Sequence, residues 1–159
     1  MIAHSLIRRL GVRGGLLLLA IYLLGGVAVA QETDTTTVSI AEQQIVQDSA
    51  DAWVALIDSM EYVASWEQAS AALQQQITQS QWEQSLQNAL APLGPLLSRA
   101  PQGREYTTTY PNAPKGEYIV ITYGSSYTQL ENAVETLVMV RNPAGTWKPA
   151  GYYVRPSTD

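Results

Sequence analysis

A carboxylate inside an apolar run is the most pointed chemical feature of this sequence. Glu135 lies in the stretch from Ala133 to Arg141, on the same strand face as Leu137 and Met139. An unpaired charge there is costly, so Glu135 must either sit at an exposed position or find a partner. Arg99 and Arg141 are candidate partners for it in a domain with few cations, Arg99 foremost. An Arg99–Glu135 ion pair would be structural, whereas a carboxylate opening onto a pocket would anchor a ligand. A third use is general-base chemistry, with Glu135 or Asp58 taking a proton and a tyrosine such as Tyr152 donating a hydrogen bond. Asp48, Asp51 and Asp58 share one helix side, but no apolar wall accompanies them. They read as a solvated face rather than as an acid/base pair or a metal site.

Composition closes most other chemistry. The chain of 159 residues has no cysteine, and its one histidine, His4, falls in the first thirty positions. Beyond those positions, disulfides, Cys or His nucleophiles, imidazole bases and zinc sites using either ligand are excluded. Gly124, Ser125 and Ser126 lack the Gly-x-Ser-x-Gly elbow, and neither Gly-x-Gly-x-x-Gly nor a phosphate loop is present, so no cofactor is expected. Nine Lys and Arg face 14 Asp and Glu, and Arg8, Arg9 and Arg13 come before any acid. The rest of the chain is strongly acidic, which makes nucleic acid a poor partner.

The elements that must position these groups begin after a targeting segment. Three arginines up to Arg13, an apolar run from Leu16 to Leu24 and the small residues Ala28, Val29 and Ala30 predict a signal peptide at 1–30, hence a periplasmic or secreted protein. Were cleavage to fail, Gly14 to Ala30 would be barely long enough to anchor in a membrane. Residues 31–38 are polar and predict a flexible lead-in, leaving 39–156 as a single domain.

Within that domain, Ser39 with Glu42 forms a capping-box pattern ahead of a long amphipathic helix from about Ile40 to Ala64, its arc made of Ile45, Val46, Trp53, Leu56, Ile57, Met60 and Val63. Ser65 with Gln68 and Thr78 with Gln81 repeat the start signal, and Ile77 with Trp82 adds a hydrophobic staple. Three helices are therefore expected, the last stopping near Pro92 and Gly94, with Trp53 and Trp82 in the core. From Tyr106 the pattern becomes extended, with strands expected at Tyr106–Tyr110, Glu117–Tyr127, Ala133–Arg141 and Trp147–Val154. Helices followed by a meander make an α+β fold, and Pro149 marks a bulge or an edge.

Both faces of the expected sheet carry apolar side chains, and three helices cover only one. The other face, with Tyr118, Val120 or Tyr152, is therefore expected to bind, as a homodimer or with an exported partner protein. An exported binding or interaction module is the leading functional expectation, and a small-molecule pocket protein or isomerase-like enzyme is the alternative.

The sequence resembles the bacterial domain of unknown function 4019 family. The resemblance rests on Trp53 to Asp58 with Tyr62, Ser65 and Trp66, on the Thr-x-x-Gln-Trp start ending at Trp82, and on Pro92-Leu93-Gly94 with Ser98-Arg99. It continues through Pro114, Gly116-Glu117-Tyr118, Glu135-Thr136 and Gly145-x-Trp147-Lys148-x-x-Gly151-Tyr152-Tyr153-Val154-Arg155, covering about Ile45 to Arg155. Leu90 departs from the family pattern, where a basic residue is usual. The resemblance implies helices on a curved antiparallel sheet, similar to cystatin-like and nuclear transport factor two-like cone folds. It implies no activity, because the family has none assigned, and the wider fold groups include steroid isomerases, dehydratases and plain binding or dimerisation modules, so fold alone does not choose.

Overall fold

Ser39 opens the first helix in the computed structural model, which describes residues 38–158; the expected signal peptide at 1–30 and nearly all of the expected lead-in lie outside the described residues. Among the described residues four helices form, not three: α1 (Ile40–Asp58), α2 (Tyr62–Gln68), α3 (Ala71–Gln76) and α4 (Gln79–Leu90), followed by a 3-10 turn at Ala91–Leu93. The strands β1 (Leu96–Thr107), β2 (Tyr118–Tyr127), β3 (Leu130–Arg141) and β4 (Trp147–Pro156) pair in chain order as one antiparallel sheet. The α+β architecture stands as expected.

The long first helix is broken where its pattern looked continuous. The N–H of Glu61 donates to Leu56 O at 2.8 Å and that of Met60 to Ile57 O at 3.0 Å, with Met60 at φ 61°. Those bonds form a Schellman stop, with a methionine in the left-handed position that glycine normally takes. The apolar arc therefore ends at Ile57. Val46, Ala50, Trp53, Val54 and Ile57 are buried, whereas Ile45, Met60 and Val63 are 62%, 77% and 40% exposed. Met60→Gly is expected to raise stability by up to about 1 kcal/mol, since a side chain costs roughly that in this conformation. An unchanged or lower urea midpoint would show the turn to be unstrained.

Of the three expected helix starts, Thr78 and Gln81 form the complete capping box. At Ser39 the hydroxyl accepts from Glu42 N–H, but the Glu42 carboxylate turns instead to the Trp147 indole at 2.9 Å. Ser65 caps nothing. It is fully buried within α2, donates to Tyr62 O and accepts from the Trp82 indole at 2.9 Å, while the next cap is Ser70, for α3.

Burial alternates along β2 and β3, so Ile119, Ile121, Tyr123, Ser125 and Tyr127 of β2, and Ala133, Glu135, Leu137 and Met139 of β3, face the helices. Against them pack Trp53 and Trp82, whose ring centroids are 6.0 Å apart. The opposite face is less open than expected, because the chain supplies part of its own cover. Val138 is 1% exposed. The Tyr118 hydroxyl donates to Pro114 O at 2.7 Å, the Tyr110 and Tyr118 rings lie 5.9 Å apart, and the Tyr153 ring crosses the space beside Gly151. Pro149 lies in the edge strand β4 next to a register shift, and its carbonyl accepts the Ser70 N–H at 2.7 Å.

Candidate functional site

The inner face of the sheet carries a polar cluster under the C-terminal half of α1. Glu135, with no exposed surface, pairs with Tyr123 of β2 on one side and Val154 of β4 on the other. Arg99, from the edge strand β1, donates from Nε to Glu135 Oε2 at 3.0 Å and from Nη2 to Oε1 at 3.1 Å. The same guanidinium reaches across to α1, where Nη2 donates to Asp58 Oδ1 at 2.9 Å and Nη1 donates to Oδ2. The Tyr127 hydroxyl donates to Glu135 Oε1 and that of Tyr152 to Oε2, each at 2.7 Å. Burial alone would raise the Glu135 carboxyl, but the neighbouring Ser125, the Arg99 charge and the two tyrosines outweigh it and hold it below the usual carboxylate range. Ser125 Oγ sits beside this group without completing a well-formed hydrogen bond. Burial, followed by the Glu135 charge, pushes the Tyr152 phenol well up.

The structure thus brings Arg99, Glu135 and Tyr152 together, and leaves Arg141 elsewhere, paired with Glu117 and Glu42. Tyr118 and Val120 lie on the other side of the sheet, so the four candidate binding residues do not form one site. The acids of α1 are not simply a solvated row. Asp58 joins the cluster, and Asp51 accepts from the Tyr123 hydroxyl at 2.9 Å and from Gln47 at 2.8 Å; Asp48 alone is held only by its helix neighbour Gln44. Tyr127 was not anticipated, although it continues the alternation set by Tyr123 and Ser125.

Beside the cluster opens a cleft of about 1010 Å³ between the α1–α2 turn, α4 and the start of β1. Ile57, Tyr62, Leu90, Leu96 and Tyr127 give it apolar and aromatic walls; Asp58, Glu61 and Glu83 are its charged residues. Its far wall is fixed by Gly94, at φ 72°, where a Cβ would come within 2.1 Å of Thr128 Oγ1. The N–H groups of Thr128 and Gln129 donate to Pro95 O and Leu93 O, clamping the β2–β3 turn to this junction. Among the described residues no group of three or more His, Cys, Asp or Glu side chains is arranged to hold a metal ion.

Residues 49–152, which run from the middle of α1 into β4 and take in the whole Asp58–Arg99–Glu135 cluster, match the family described as protein of unknown function DUF4019. The chain belongs to the DUF4019 family. No curated protein matches it. In this DUF4019 protein the matched segment takes in the inner cluster and every residue lining the cleft.

Proposed function

We propose that this DUF4019 protein is an exported, non-catalytic binding module whose ligand occupies the cleft between the α1–α2 turn, α4 and the start of β1. The observation that carries the reading is how the polar groups are divided. Glu135 and Tyr152 meet at 2.7 Å, but both are buried, and the carboxylate is already held by Arg99, Tyr127 and Tyr152. A general base needs a free lone pair facing substrate, and this carboxylate lacks one. With Glu135 as base, the isomerase-like alternative would require the cluster to come apart first; Asp58, the other candidate base, lines the cleft but is engaged on both oxygens by Arg99. The cleft, by contrast, is open and mostly apolar with a few polar groups, the usual make-up of a binding site. Binding through Tyr118 on the other sheet face has less support, because that ring is 4% exposed beneath the β1–β2 connection.

Native mass spectrometry of the protein purified from its own host is expected to show a non-covalent adduct that an Ala91→Trp variant, with its indole in the cleft, no longer carries. An adduct retained by that variant would move the site elsewhere. An empty wild-type protein would sink the reading.

A further inference from the structure

We propose that the cleft takes an organic cation with an apolar body, an ammonium group on an aryl or alkyl frame. This names the ligand class of the binding reading above and rests on it. The charged residues lining the cavity are all acidic: Asp58, Glu61 and Glu83. The guanidinium bonded to Asp58 does not cancel this, because Arg99 is shared with Glu135 and one positive charge stands between two negative ones. Tyr62, on the cleft wall, is raised in pKa by burial and then by the Asp58 charge, in keeping with a negative field at its hydroxyl. The aliphatic side chains of Leu90 and Leu96 would receive the apolar frame, and Tyr62 and Tyr127, which also line the cavity, would favour a cation by their aromatic character. Met60, 77% exposed, is also among the lining residues and adds an adaptable apolar side chain. An anionic ligand would meet three carboxylates and no lining cation, so the charge pattern selects by sign.

The test is an NMR titration at neutral pH with phenylbutylamine, phenylbutanol and phenylbutyrate, which share one frame and differ in charge. The amine is expected to bind at least about tenfold more tightly than the alcohol, with the acid weakest, and the preference should shrink as salt is raised. In a Glu61→Gln, Glu83→Gln variant the amine-to-alcohol ratio should fall below about threefold while alcohol binding is retained. Met60→Gly should fold at least as stably as the wild type and weaken all three ligands, which separates lost binding from lost structure. Equal binding of amine and alcohol, no binding by any of the three, or a ratio unchanged by the glutamine substitutions would overturn the cationic ligand class. The cleft itself fails separately, if Ala91→Trp leaves the binding of every bound probe unchanged or if the host-purified protein is empty.

Discussion

Arg99→Met is expected to destabilise the fold by about 3 to 5 kcal/mol, because it leaves a buried carboxylate without its cation. Glu135 keeps its two tyrosine donors in that variant, so the loss measures the charge rather than all the hydrogen bonding. Glu135→Gln removes the charge from the other side, and the double variant should be less damaged than the sum of the singles, with a coupling above about 1 kcal/mol. The pH dependence gives a sharper sign. In the wild type the Glu135 carboxyl is held low, so its contribution is present above the unfolded value near about 4.3 and is lost as pH falls through the lower folded value. Without the Arg99 charge, burial is expected to outweigh the remaining Ser125 and tyrosine contributions and to lift the folded value above the unfolded one. The contribution of Glu135 is then largest at low pH and is lost as pH rises. Urea midpoints measured across the acid range, each referred to the matching Glu135→Gln protein, should slope in opposite directions for the two; parallel slopes would refute the pairing as the source of stability.

Trp53→Ala carries a comparable cost, about 3 to 5 kcal/mol for an aromatic lost from a packed core. Trp53 is 2% exposed, packs edge-on to Tyr152 at 6.1 Å and donates from its indole to Ser65 O at 2.8 Å. It therefore joins α1, α2 and β4 in one residue. Trp53→Phe keeps most of the apolar surface and should lose less, which separates packing from the hydrogen bond. A midpoint shift worth under about 1 kcal/mol for the alanine variant would place the side chain outside the core.

What was legible in the sequence follows from which signals are local. The phase of α1 could be read through Ile57, and the Thr78 cap, Trp82 and the β2 and β3 runs are governed by neighbours a few residues away. The α1–α2 break could not be read, because the left-handed residue is Met60 instead of glycine and the apolar spacing runs on past it. β1 was missed over most of its length for a different reason. Its sequence from Leu96 to Thr107 contains Pro101 and Gly103, alternates poorly and pairs with two register shifts. An edge strand bonded on one side tolerates all of these. The Arg99–Glu135 pair was legible because buried charge demands a partner in a chain with few cations. Arg99 also bonding Asp58, and the cleft that forms beside them, depend on how far apart α1 and β1 come to rest, and no local pattern encodes that distance.

The Trp147 indole bonds a carboxylate 105 positions earlier, at Glu42, and Tyr152 supplies the ring edge against which Trp53 rests. α1 is the first helix of the described residues, yet two of its anchors belong to β4. Part of its packing therefore depends on partners about a hundred positions away, and such long-range pairing slows folding. A chain stopped short of Trp147 would have the helices and most of the sheet but neither of those anchors. The first described helix and β4 are therefore expected to close together, a step that a chain cut before Trp147 would lack.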